Sequence, residues 1–356
     1  MDKLPLIAAA FLLGAVSSAS TASAQNGNTS VVVGDHESCA SCQIELDLVA
    51  TLTPKQESGF FCSAIIDLAV VGKRFYAIDL ACSDPVVLVF NQGGQQIGKL
   101  GGMGQGPGEF LRVRRIWSRT DGGLYVFEPG RLSLFSPAFE FERVIPLRSV
   151  PDGFLPLPDG RFIVADNIET PESVGLPLHI FDDRGRRIGS FGADSSIYRS
   201  DEKVALSRTL AGSSTPNTLW VAHTNQYKVE KWNIASESRV LTLERRPRWF
   251  QPSTSTVGPS TRLTGVREDG SGNLWTLISV PTDEHEVKIA DGALINDHLD
   301  TIVEILDPKA GDLLATTRSD VLFARWAGDF TFSVREGADL SILVDVWRAT
   351  IQRRPN

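Results

Sequence analysis

From Ala64 to Arg353 the chain alternates short apolar and β-branched runs with clusters of Gly, Asp, Asn, Ser and Pro. That pattern predicts strands joined by tight turns rather than helices. Six runs share one shape: Arg74 to Asp79, Gly123 to Glu128, Arg161 to Asp166, Thr218 to His223, Asn273 to Ile278, and Leu340 to Asp345. They start about 38 to 67 residues apart, around the spacing of a repeated sheet unit. Each sits between a strand-like segment before it and two after it, and is expected to be the second strand of a four-stranded antiparallel meander. The first unit reads Ala64 to Val71, Arg74 to Leu80, Val86 to Asn91 and Gln96 to Leu100. The last offers three segments, near Asp329 to Arg335, Leu340 to Val346 and Ala349 to Arg353. This leaves an unpaired sheet edge, and Ile44 to Leu52, reading IELDLVATL like an outer strand, is expected to pair with it and close a ring.

The crossing between the first two units carries the clearest signature. Lys99 to Phe135 reads KLGGMGQGPGEFLRVRRIWSRTDGGLYVFEPGRLSLF, a Gly-rich passage followed by three strand-like runs split at Asp121-Gly122-Gly123 and Pro129-Gly130. It resembles the NHL-type repeat, in which a GxGxGPGEF crossing precedes a hairpin of this kind. The resemblance implies an all-β, six-bladed β-propeller of four-stranded antiparallel blades over residues 44–356, its ring closed by an N-terminal strand on the C-terminal blade. Blades pack face to face around a central channel, so the long apolar alternations belong to the core. Trp220 and Trp275 occupy equivalent places in second strands, beside Tyr76 and Tyr125, and are expected to pack rather than to stack on a ligand.

Residues Met1 to Ala24 change the picture of where the chain works. Lys3, the apolar run Leu6 to Val16 and the small-x-small order of Ala22-Ser23-Ala24 read as a secretory signal cleaved before Gln25. The run is about eleven residues, short of the roughly twenty a membrane span needs, so a secreted or periplasmic protein with no span is expected. A formal net charge of −8 argues against nucleic acid or an anionic membrane as partner. The protein is expected to be a monomer.

Residues 25–43 carry a CxxC, and Cys39, Cys42, Cys62 and Cys82 form an even set suited to an oxidising compartment. Zinc would call for a second CxxC, and a redox or haem role for a βαβ unit or a following His. If the first strand starts on the face reached by the interblade crossings, Cys62 precedes that strand and Cys82 follows the returning second strand, on the same face. Cys39 and Cys42 precede an outer strand that runs toward that face, so they begin on the other. A seven-residue strand spans about 23 Å, against about 7 Å for bridged Cα atoms. The expected pairs are Cys62 with Cys82 and Cys39 with Cys42.

Several constellations could carry chemistry. GGMGQGPG suggests a phosphate loop, yet it lacks the Gly-Lys-Ser/Thr ending and a following helix, and reads as a tight crossing. Asp79, Glu128, Asp166, His223 and Asp345 end the second-strand runs, where they would close turns or, as a ring, hold a cation. Propeller lactonases and related hydrolases hold calcium with Glu, Asn and Asp from several blades, a set that does not map here residue by residue. HExxH and GxSxG are absent from the sequence. Arg114, Arg115, Arg208, Arg262 and Arg325 fall at or just before channel-side strands, and together would make a cationic mouth for a carboxylate, phosphate or acidic glycan. The insertion Asp283 to Asp300, with Asp283, Glu284, His285, Glu286, Asp291, Asp297, His298 and Asp300, is expected to be a solvated hairpin over the mouth that holds no metal.

These observations favour an exported, non-catalytic scaffold that binds a protein, glycan or small anion on the loop face around the channel, without cofactor or metal. The alternative is a metal-dependent propeller hydrolase or lyase of the lactonase kind.

Overall fold

The computed structural model describes residues 29–55, 61–63, 65–166, 175–192, 207–251, 260–283 and 298–353. Two strands precede the repeats, β1 (Thr29–Val32) and β2 (Cys42–Leu52). Blade 1 comprises β3 (Ile66–Val71), β4 (Arg74–Asp79), β5 (Val87–Phe90) and β6 (Gln96–Leu100). Blade 2 comprises β7 (Arg115–Ser118), β8 (Leu124–Glu128), β9 (Gly130–Phe135) and β10 (Phe141–Leu147). Blade 3 follows with β11 (Gly153–Pro156), β12 (Phe162–Ala165), β13 (Leu178–Phe181) and β14 (Arg187–Phe191). In blade 4 are β15 (Arg208–Gly212), β16 (Thr218–His223), β17 (Lys228–Asn233) and β18 (Ser238–Glu244). Blade 5 holds β19 (Arg262–Glu268), β20 (Leu274–Pro281), β21 (Leu299–Asp307) and β22 (Asp312–Ser319). The last repeat supplies β23 (Phe323–Ala327), β24 (Phe330–Glu336) and β25 (Ile342–Arg353).

Blade 6 is completed by β2, which pairs antiparallel with β25 from Cys42↔Arg353 to Leu52↔Val344. The open edge is closed by the expected strand, lengthened by two residues at its start. Six buried apolar clusters then form, one between each pair of neighbouring blades, including blades 6 and 1. The fold is a six-bladed β-propeller. Trp220, Trp275 and Tyr76 are among its largest fully buried side chains.

Turn chemistry repeats with the blades. Asn91, Asp182, Asn233 and Asp307 close third strands and accept backbone N–H groups a few residues on, at 2.8 to 3.1 Å. This satisfies donors that the hairpin would otherwise leave free. Gly94, in the first of these turns, has φ +79° and lies so close to β2 that a Cβ would meet Thr51 O at 2.1 Å. The turn thereby presses blade 1 onto the closing strand, and Thr53 N–H donates to Gly94 O at 2.9 Å.

The Gly-rich passage is an interblade crossing between β6 and β7. Its backbone bonds to itself, Phe110 N–H to Gly102 O at 2.8 Å and Gly104 N–H to Phe110 O at 3.0 Å. Both disulfides have the expected pairing, Cys39–Cys42 and Cys62–Cys82, with Cα atoms 5.3 and 5.4 Å apart.

The structure corrects the register of the last repeat. Leu340 to Asp345 is not a second strand: Ile342 to Arg353 is one continuous third strand, β24 is second, and Phe323–Ala327 is first. A feature without a local signal is β1, which adds parallel to the outer edge of blade 4, Thr29↔Leu241 to Val32↔Glu244. The chain then crosses blade 5, where Ser38 N–H donates to Leu313 O and Thr316 N–H to Glu37 Oε1, at 2.8 and 2.7 Å. Residues 29–41 thus strap the outer edges of blades 4 and 5 before entering β2.

Candidate functional site: the central channel

First strands β3, β7, β11, β15, β19 and β23 line the channel. Interblade crossings deliver the chain to one end of them, the crossing end, and the turns into second strands lie at the other, the hairpin end. Four of the expected arginines lie at the crossing end, because each opens or just precedes a first strand. Arg115 is exposed, Arg114 and Arg262 are half-buried, and Arg208 is buried at 3% exposure. Arg262 Nε donates to Ser260 Oγ at 2.9 Å, and Arg208 Nη1 to Ser207 O at 3.0 Å. Arg325 is separated from them, at mid-channel. Its Nε donates to Asp67 Oδ1 at 2.7 Å, and its Nη atoms to Trp326 O, Leu68 O and Ile116 O at 3.2, 2.9 and 2.9 Å. Arg325 therefore joins blades 6, 1 and 2.

The strand-end acids close turns and bind neighbours. Asp79 accepts from Cys62 N, Ser63 N, Ser63 Oγ and Ala81 N at 2.6 to 3.1 Å. Glu128 takes Arg131 Nε at 2.7 Å and Leu111 N at 3.2 Å, and Asp166 takes the Ser149 hydroxyl. Asp345 lies on the third strand β25 and holds Thr51 Oγ1 and Arg335 Nε, both at 2.5 Å. Among the described residues, the one grouping of three potential metal-ligand atoms is Cys62, Asp79 and Cys82, and its cysteines are bridged to each other.

Residues 284–297 of the acidic insertion lie outside the described residues. Its C-terminal end is not solvated as expected: His298 is 4% exposed, and Asp300 receives Arg318 Nε at 2.8 Å. Here β21 begins at Leu299 and pairs with Pro281, so the strands run past the expected start of the loop.

His223, at the crossing end of β16, is 2% exposed, with Nε2 3.2 Å from Glu230 Oε2. Burial pushes its pKa from 6.5 to about 4. Burial alone would raise the Glu230 carboxyl, but bonds and charges from His223 and Lys228 hold it below the usual carboxylate range. The unfolded chain protonates His223 below about pH 6.5 while the folded chain resists until about pH 4, so stability falls as pH drops through that window. The Glu230 contribution is lost only below its ordinary value of 4.5. Between pH 7 and 4.5 His223 is thus expected to remove roughly 2–3 kcal/mol. Urea unfolding at both pH values checks this: His223→Gln should flatten the decline by about that amount, and an unchanged decline would refute the assignment.

At the hairpin end lies a cavity of about 680 Å³ to which all six blades contribute. One wall is aromatic, with Trp117 stacked on Phe154 at 4.4 Å between centroids. Opposite charges also meet there. Arg119 bonds Asp121 and Glu142, each at 2.5 Å, and Arg161 pairs with Asp159 at 2.7 Å. Of the five expected arginines this cavity includes Arg325. The sequence reading missed Arg267 and Trp326, whose place on the wall depends on how blades 5 and 6 meet. The cavity thus joins an aromatic wall to charged groups, two kinds of lining that small-molecule sites combine.

The family described as "6-bladed beta-propeller" matches residues 24–193. A candidate exported protein from Bacteroides fragilis superimposes with a TM-score of 0.56 at 10% identity, over 92% of this chain and 100% of its own. A protein of unknown function from Bacteroides thetaiotaomicron gives 0.48 at 11% identity, over 87% and 76%. At 10% identity the likeness to the Bacteroides fragilis protein is one of fold. No curated protein matches in sequence. Among the described residues no helix is long and apolar enough to cross a membrane.

Proposed function

We propose that this chain is an exported, non-catalytic propeller scaffold that binds a small organic ligand in its central channel. The observation that carries the reading is the cavity of about 680 Å³ at the hairpin end, with its stacked Trp117 and Phe154. Export is supported by the Met1 to Ala24 pattern and by two disulfides, which persist in oxidising compartments. Arg114, Arg115 and Arg262, backed by the buried Arg208, are proposed to form a cationic rim at the opposite mouth that draws an acidic ligand to the channel. The NHL-type signature of the first crossing agrees with this reading without naming a ligand.

Native mass spectrometry of protein recovered from its own cells tests the proposal. One bound small molecule is expected, released chemically unchanged, with Trp117→Ala weakening its rebinding at least tenfold. Rebinding unaffected by Trp117→Ala would remove the site, and conversion of the molecule on incubation would establish an enzyme instead.

A further inference from the structure

Arg267, on β19, is the cation of the cavity wall with the weakest neutralisation. It is 9% exposed, and its guanidinium carbon lies 4.5 Å from the ring centroids of both Trp275 and Trp326. Its Nε and the adjacent Trp326 Nε1 are buried without a hydrogen-bond partner among the described residues. Nη2 donates to Ala349 O at 3.3 Å, and Nη1 to Asp329 Oδ1 at 3.3 Å. Asp329 is a loose counter-ion, its side chain 81% exposed. The other three arginines of the wall have carboxylate partners at 2.5 to 2.7 Å: Arg119, Arg161 and Arg325. Burial disfavours the charge on Arg267, and Asp329 and Asp269 restore it in part.

A charge withdrawn from water needs a close partner. Here two unserved N–H donors add to a positive field, while the one carboxylate on the guanidinium, Asp329 at Nη1, is held at long range and is exposed. We propose that the channel takes an organic monoanion, a carboxylate on a flat apolar body. Its carboxylate displaces Asp329 from Arg267 Nη1, and its body packs on the Trp117 and Phe154 wall. A carboxylate replaces Asp329 charge for charge and in kind, whereas inorganic phosphate, partly a dianion at pH 7, would in that form leave an uncompensated negative charge beside the tryptophans and in either form brings no apolar body for the Trp117 and Phe154 wall. The inference rests on the channel-binding reading and names the ligand class for that site.

The test compares naphthalene-2-carboxylate, its neutral carboxamide and inorganic phosphate, by calorimetric titration of the full mature chain at pH 7. The acid is expected to bind at least tenfold tighter than the amide, and phosphate not to compete. Asp329→Asn removes the competing carboxylate while keeping the shape of the side chain, and its thermal melt is recorded beside the titration. The substitution should tighten the acid severalfold and leave the amide within twofold, while Arg267→Gln, where it folds, should make acid and amide equal. Equal binding of acid and amide to the parent chain, or an acid unaffected or weakened by Asp329→Asn, overturns the anion assignment and leaves the channel reading standing. Failure of both acid and amide to bind overturns the two together, and competition by phosphate replaces the carboxylate class by phosphate.

Discussion

A chain beginning at Thr53 is expected not to reach a native propeller. Without β2, blade 6 keeps the whole of β25 as an open edge, ten paired positions from Cys42 to Leu52 being lost. The loss extends to two of the six cores. Ile44, 6% exposed, belongs to the cluster between blades 5 and 6, and Ala50 and Leu52, 7% and 0% exposed, to that between blades 6 and 1. Burying a large aliphatic side chain contributes about 1.5–3 kcal/mol, so Ile44 and Leu52 alone account for roughly 3–6 kcal/mol. That is comparable with the roughly 5–15 kcal/mol that holds a typical domain together. The same truncation removes the strap over blades 4 and 5. Far-UV circular dichroism and thermal melting check the expectation: a low, broad transition or none, with aggregation at the exposed edge. A chain beginning at Cys42 keeps β2 and should melt cooperatively, several degrees below a chain beginning at Gln25, which separates the N-terminal strap from the closure. A Thr53 chain melting as high as one beginning at Gln25 would contradict ring closure by β2.

The parts of this architecture that were legible in the sequence are those with local causes. Second strands such as Arg74–Asp79 and Leu124–Glu128 declare themselves by apolar runs between Gly and Asp turns. The disulfides followed from the sidedness of a meander, and the closing strand from an unmatched edge. The last blade escapes the pattern because FARWA is interrupted by Arg325 and is turned by Gly328 at φ +63° directly into β24. A third strand twelve residues long, whose Arg348 lies over the Phe330 ring at 4.8 Å, resembles two strands with a polar break. The parallel pairing of β1 with β18 joins residues more than 200 positions apart in the chain, beyond the reach of any local pattern. Arg267 lies in VREDG, which reads as solvated turn charge. Its burial is created by Trp275 and Trp326, which arrive from two different blades and meet at 6.2 Å.

Arg325→Ala is expected to destabilise the fold by roughly 3 kcal/mol, the cost of stranding the buried Asp67 carboxylate when its half-buried counter-ion is removed. Asp67 is 2% exposed, and its carboxylate is held by Arg325 Nε at 2.7 Å and Ile116 N at 2.9 Å. Removing the guanidinium leaves that charge with one backbone donor, and frees the carbonyls of Leu68 and Ile116 that Nη2 had bound. Arg325→Lys should recover only part of the loss, since an ammonium cannot place donors on Asp67 and on carbonyls of three first strands in one plane. The double variant Asp67→Asn with Arg325→Met should be more stable than Arg325→Ala, because no ion remains buried without a partner. Urea unfolding of the three variants measures this. A loss under about 1 kcal/mol for Arg325→Ala would mean that the pair behaves as a solvated one. Arg325 would then be free to meet a ligand, as the other arginines of the sequence reading are proposed to do. A loss in the expected range assigns it to the frame of the channel, and makes Arg267, whose partner is loose, the cation that remains to answer an anion.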